Sequence, residues 1–177
     1  MKKIIIIGAG AMGSAFAVPC LENQNEVTLV GTHLEDDLIN NIKSNNNLHP
    51  ALNIELPSKL KVEKFEKLQS ILEEGVDIIV AGVSSVGIEW FVKQITKSYK
   101  KNLPIILLTK GLAIEGNELI TLSDKIKKLL KDEGHTQVNI SAIKGPCLAA
   151  GLAYKMRTGT VIANPDIKET EKLKKII

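Results

Sequence analysis

The chain has 177 residues, of which 44% are apolar, 24% charged and only 3% aromatic, with a formal net charge of +3. Such a chain suits one globular domain or slightly more, with an aliphatic core and on the order of 70% of its surface buried. Its lysines are interleaved with glutamates and its rings are few, which argues against a nucleic-acid partner, and no run approaches the ~20 apolar residues of a membrane span.

Lys3-Ile4-Ile5-Ile6-Ile7 opens the chain. Four isoleucines in a row cannot give one wet face and one dry face, so the segment reads as a strand buried on both sides, as in parallel sheets. The Met-Lys-Lys start superficially resembles a signal peptide, but its apolar run is too short. The strand stops at Gly8. Gly8-x-Gly10-x-x-Gly13 then opens an alanine-rich helix, expected from Ala11 to Asn23 with Pro19 kinking or shortening its last turn. Gly8 permits the tight turn, Gly10 lets backbone approach a pyrophosphate, and Gly13 lets helix and strand pack closely. Free N–H groups at the helix start face the phosphates. A second strand, Glu26 to Val30, follows after one helix length, which is the context a dinucleotide site requires.

The tip of that strand is Gly31-Thr32-His33. No acid stands there to hold ribose hydroxyls and no arginine to hold a 2′-phosphate, so either NAD or NADP is compatible with it. His33 reads equally as a solvated turn residue or a ligand contact. Glu35, Asp36 and Asp37 look like the negative first turn of a second helix, Leu34 to Ser44. Asn45 to Pro50 breaks regularity, and His49 reads as a structural loop residue. Leu60 to Lys64 alternates like a short strand, and a helix from Leu68 to Glu74 is capped by Gly75. Val76 to Val83 is another doubly buried strand, ending in Ser84-Ser85 at the edge where ligands bind in open α/β folds. An apolar helix carries Ile88, Trp90, Phe91 and Ile95. Pro104 to Thr109 is the next strand and delivers Lys110 to the same edge, either as an anion or carbonyl partner or as the start of a surface loop.

Asn117 to Lys131 is expected as one amphipathic helix with a solvated lysine face, ended by Gly134. Val138 to Ile143 is a strand running into Lys144-Gly145-Pro146-Cys147, and Thr158 to Ala163 a last short strand. A capped helix, Lys168 to Ile177, runs in pattern to the final residue, so a fragment of a longer protein is expected. Cys20 and Cys147 read as free thiols in a reducing cytoplasm, and no metal is expected. The fold class is α/β: a Rossmann-like, doubly wound, mostly parallel sheet in three αβα layers, spanning residues 1–177.

Gly8-Ala9-Gly10-Ala11-Met12-Gly13, His49-Pro50 with Leu56-Pro57, Val83-Ser84-Ser85, Thr109-Lys110-Gly111-Leu112 and Gly145-Pro146-Cys147-Leu148-Ala149 occur in one order along the chain. In this set the chain resembles the N-terminal cofactor domain of NAD(P)-dependent glycerol-3-phosphate dehydrogenases. The resemblance implies hydride transfer between NAD or NADP and a small phosphorylated substrate, dihydroxyacetone phosphate or sn-glycerol 3-phosphate, serving glycerolipid precursor synthesis. It implies that Gly8, Gly10, Ala11, Met12, Gly13, Thr32, Ser84, Lys110 and Ala149 hold the cofactor. Lys110, Gly145 and Cys147 would line the substrate site, with Lys110 catalytic. A second, all-helical domain would carry the main catalytic lysine, and the complete protein is a possible homodimer. Three residues depart from the family pattern. Cys147 stands for a usual Ser or Thr, Gly151 for a glutamate and Lys144 for a small residue; Lys144 is expected to point to solvent. Two other readings stay open: another two-domain β-hydroxyacid-type dehydrogenase, and a dinucleotide-binding module without catalysis.

Overall fold

The computed structural model describes residues 1–177. It begins with β1 (Lys3–Ile7), α1 (Ala11–Glu22), β2 (Glu26–Val30) and α2 (Asp36–Ser44). Two short strands, β3 (Leu48–His49) and β4 (Ile54–Glu55), pair with each other in the loop that follows. Then come β5 (Lys61–Glu63), α3 (Leu68–Glu74), β6 (Ile78–Ala81), α4 (Ile88–Ile95) and β7 (Pro104–Leu107). The rest is a hairpin of β8 (Leu112–Glu115) and β9 (Glu118–Thr121), then α5 (Leu122–Asp132), β10 (Asn139–Lys144), α6 (Ala149–Ala153), β11 (Val161–Ala163) and α7 (Ile167–Lys174).

Seven strands form one sheet in the order β11-β10-β7-β6-β1-β2-β5. All neighbours are parallel except β10 and β11. The isoleucine run sits at its centre. Ile5 and Ile7 face one side, packing with Phe91, Ile95 and Ile126 of α4 and α5. Ile4 and Ile6 face the other, packing with Phe16 of α1, Ile39 of α2 and Leu173 of α7. Both faces are dry, which is why the run shows no alternation. Each such buried isoleucine contributes about 1.5–3 kcal/mol relative to an exposed one. The chain leaves β1 toward β2 on one side and returns to β6 on the other. The carboxyl ends of β1 and β6 therefore flank a topological switch point, the place where open α/β sheets bind ligands.

One expected element is different. Asn117 to Thr121 does not begin a helix but forms the second strand of the β8–β9 hairpin. Gly116, at φ +58°, occupies the first central position of its two-residue turn, where a positive φ is needed. Thr121 then caps α5, its hydroxyl accepting from the Asp124 N–H at 3.1 Å, and Leu122, Ile126 and Leu130 form the buried stripe. No helix is long and apolar enough to cross a membrane.

Candidate dinucleotide and substrate site

At the switch point the three glycines do different work. A Cβ on Gly13 would lie 2.1 Å from the Gly8 carbonyl oxygen, and one on Gly8, whose φ is +110°, would lie 2.7 Å from Gly82 backbone atoms. Both are needed for close approach of α1, β1 and β6. Around Gly10 the only atom near such a Cβ is Glu35 Oε1, at 3.8 Å. Gly10 is therefore the glycine that leaves room for something outside the fold. Behind it the N–H groups of Ala11, Met12 and Gly13 have no backbone acceptor, and the first turn of α1 holds no acid. This cradle fits a pyrophosphate.

The Ala9 peptide is fixed from both sides. Its N–H donates to Glu35 Oε2 at 3.0 Å. Its carbonyl accepts from Ser14 Oγ at 2.9 Å and from His49 Nε2 at 3.0 Å. His49 Nδ1 accepts from the Leu52 N–H at 3.2 Å, which makes Nε2 the donor. His49, 1% exposed, is thus a structural residue, as its sequence context suggests. What it supports, the glycine loop, lies forty positions away and was not legible there. Tyr154, just past α6, donates its hydroxyl to Leu52 O and so braces the loop that carries His49.

Glu35 is the residue that sequence reasoning passed over. It was expected among the acids of a helix start. The structure turns it back toward β1 instead, with Oε2 also accepting from the Thr32 N–H at 2.7 Å. Gly31 makes this possible: a Cβ there would sit 2.8 Å from Ile39 and 3.4 Å from the Glu35 Cβ. The spacing of about 20 residues beyond the glycine triplet was the available signal. His33 packs its ring on Trp90, with centroids 5.0 Å apart, and Phe65 completes the group.

Two clefts meet at the α1 N-terminus. One, of about 560 Å³, runs from Gly10, Ala11 and Met12 past Thr32 and Ser84 to Trp90. The other, of about 330 Å³, runs from Ala11 and Met12 to Lys110, Cys147 and Ala149. The first joins Ala11 and Met12, expected at the pyrophosphate, to Thr32, expected near the adenosine ribose, and to Ser84. The second joins Lys110 and Cys147, expected near substrate, to Ala149, expected on the nicotinamide side, while Gly145 does not line it. Gly8 and Gly13 line neither cleft; Gly13 adds only its N–H to the cradle, and Gly8 lies beneath it. A larger cleft of about 640 Å³ lies at the opposite edge of the sheet, around Asn139, Asn164 and Glu169. It contains none of the expected residues and no glycine cradle, so size does not choose the site here.

At the second cleft, side-chain bonds tie the strand ends together. Thr109 Oγ1 donates to Val83 O at 2.6 Å. Lys110 Nζ donates to the carbonyls of Gly145 and Cys147, at 3.0 and 3.3 Å. Lys144 Nζ donates to Thr109 O at 2.9 Å. Lys144 therefore does not point to solvent as expected. Parallel pairing of β10 with β7 brings it beside a carbonyl that has run off the end of its ladder. Burial first, and the nearby Lys110 charge second, hold its ammonium below the usual lysine range. Neither lysine forms an ion pair with a carboxylate; the exposed pairs all lie elsewhere. Gly145, at φ +97°, makes the turn that presents its carbonyl. Cys147 is 2% exposed, and what it offers Lys110 is its carbonyl rather than its thiol. Burial pushes the other thiol, Cys20, up to about 12. No cluster of His, Cys, Asp or Glu is arranged to hold a metal ion.

With this geometry in place, comparison with known proteins is decisive. The family described as NAD-dependent glycerol-3-phosphate dehydrogenase N-terminus matches residues 3–170. The chain belongs to that family. The expected cofactor, NAD or NADP, agrees with the family's. An NADP(+)-dependent glycerol-3-phosphate dehydrogenase of Archaeoglobus fulgidus is 34% identical over 175 residues, covering 98% of this chain and 50% of that protein. A glycerol-3-phosphate dehydrogenase [NAD(P)+] of Mesoplasma florum is 32% identical over 176 residues, covering 97% and 49%. The crystal structure of glycerol-3-phosphate dehydrogenase from Coxiella burnetii shares the fold, with a TM-score of 0.81 at 23% identity, covering 99% of this chain and 51% of that one. The chain thus spans about half the length of the curated relatives it matches.

Proposed function

We propose that this dehydrogenase domain is the cofactor-holding half of an enzyme that interconverts dihydroxyacetone phosphate and sn-glycerol 3-phosphate. One observation carries the reading: the amide-rich start of α1 and the unpaired Lys110 ammonium open onto clefts that share Ala11 and Met12. The nicotinamide supplies the hydride when it is bound. The chain's own residues position and polarise. Backbone N–H groups of Ala11, Met12 and Gly13 hold the pyrophosphate, with Thr32 and Ser84 on the adenosine side and Ala149 on the nicotinamide side. Lys110, fixed by two carbonyls, keeps a positive charge where the substrate's oxygen becomes alkoxide-like, which is charge stabilisation in a prearranged site. Gly145 and Cys147 set the direction of that charge through their carbonyls.

A second, helical domain completes the substrate site and brings the main catalytic lysine. Leu112 and Leu148 stand exposed close to Lys110 and Cys147 in the chain, which supports an apolar cover on this side. The complete enzyme works in the cytoplasm, as a homodimer. The test uses the chain as it stands. It binds NADH or NADPH and reduces no dihydroxyacetone phosphate. Steady turnover by this chain alone refutes the divided site, and failure to bind either nucleotide refutes the cofactor reading.

A further inference from the structure

The segment Thr109-Lys110-Gly111 carries the free charge of the substrate-side cleft on very little support. β7 ends at Leu107, and the last bond of its ladder toward β6 is the Leu108 N–H on Ala81 O at 3.1 Å. None of the three N–H groups that follow has a backbone acceptor. A Cβ on Gly111, whose φ is +124°, would meet nothing within 4 Å. Packing therefore does not hold this residue, and a glycine there leaves the backbone free to turn. The Thr109 hydroxyl, on Val83 O, ties the segment to β6 by a side chain. One hydrogen bond reaches its backbone: Lys144 Nζ donates to Thr109 O at 2.9 Å. That carbonyl belongs to the peptide whose nitrogen is Lys110's.

Lys144 reaches it from behind. It stands two residues past Ala142 in β10 and so continues the face that packs on α4 and α5. It lines neither cleft at the α1 N-terminus, whereas Lys110 lines the second. The two lysines make crossed ties, each ammonium held by carbonyls at the exit of the other's strand. From this we propose that Lys144 is a positioning residue, holding the Thr109–Lys110 peptide so that the Lys110 ammonium meets the substrate oxygen at one fixed place. The proposal rests on the role given to Lys110 above and deepens it. Lys110 is fixed at its root by Lys144 and at its tip by the Gly145 and Cys147 carbonyls. A flexible four-carbon stem needs both if its charge is to stand still.

A double-mutant cycle in the complete enzyme separates action through Lys110 from a merely structural role. Lys144→Met lowers kcat for dihydroxyacetone phosphate reduction by about 10- to 100-fold, the scale on which a displaced group loses rate, and leaves NADH binding largely unchanged. In a Lys110→Ala background the same change costs less than about twofold, because the group it positions is gone. An equal loss in both backgrounds, or no loss in the first, overturns the proposal. A second measurement needs no turnover. Backbone relaxation followed by NMR on the chain as it stands finds the Lys110 amide as ordered as β7, with an order parameter of about 0.85, and Lys144→Met lowers it below about 0.6. A mobile Lys110 amide in the unmodified chain, or unchanged order in the variant, also overturns the proposal. If the unmodified complete enzyme reduces no dihydroxyacetone phosphate, the reading of the reaction fails, and the relaxation result still decides whether Lys144 holds Lys110.

Discussion

The two sides of the switch point are built from opposite materials. On the β1–β2 side the site is backbone: glycines, amide groups and one carboxylate that holds the loop. On the β7–β10 side it is side-chain charge, with Lys110 and Lys144 tied to carbonyls and neither paired to an acid. The first side suits a ligand the protein must approach closely along its length. The second suits an anion or a developing oxyanion, since ammonium groups left without carboxylates keep their charge for a ligand. The contrast teaches that the dependence runs one way: damage on the charged side should leave nucleotide binding largely intact, whereas damage on the backbone side removes the cofactor and the reaction with it.

The largest expected effect breaks the backbone side. Gly13→Ala drives a methyl into the Gly8 carbonyl, a backbone atom that cannot move aside as a side chain can. Overpacking of this kind costs about 1–3 kcal/mol or more. A lowered thermal midpoint and no measurable NADH binding are expected; unchanged binding would show that α1 does not need its close seat on β1. Next is Lys110→Ala in the complete enzyme. Activity falls by about 10²–10³-fold, the scale of losing one prearranged stabilising group, while NADH binding changes far less. A near-normal rate makes Lys110 only a tie between strand ends.

How much of this was readable beforehand differs between the two sides in the same way. The glycine triplet and the doubly buried isoleucine strand are local patterns, and their physical roles follow from neighbours in sequence. Glu35 was misjudged because its reach depends on Gly31 admitting Ile39, a packing fact that spacing alone does not contain. Lys144 was misdirected for a related reason: its acceptor, Thr109 O, is 35 residues away and is brought alongside only by the β7–β10 register. The helix expected from Asn117 began too early because Gly116-Asn117 is a hairpin turn, with β9 running from Glu118 to Thr121 before α5 starts. Leu112 and Ile114, the alternating residues before it, are exposed and left no mark of a buried face.

The smallest effect sharpens the charged side. Lys144 titrates below an ordinary lysine, through burial first and Lys110 second. Its folded value lies under its unfolded one, so the unfolded chain holds the extra proton in the window between them. Stability contributed by this group therefore rises with pH through that window, up to the ordinary lysine value of about 10.4. Lys110→Met should move the Lys144 titration partly back toward the ordinary value, followed by NMR of the side-chain ammonium. No movement would mean that the two charges do not sense each other across the strand ends.

The doubly held Ala9 peptide has a kinetic consequence. With its N–H on Glu35 and its carbonyl on Ser14 and His49, the glycine loop already has its working shape before any nucleotide arrives. Little chain has to be ordered at the moment of encounter, so arrival is governed by diffusion and orientation rather than by loop closure. Differences between nucleotides then appear as differences in how long each one stays.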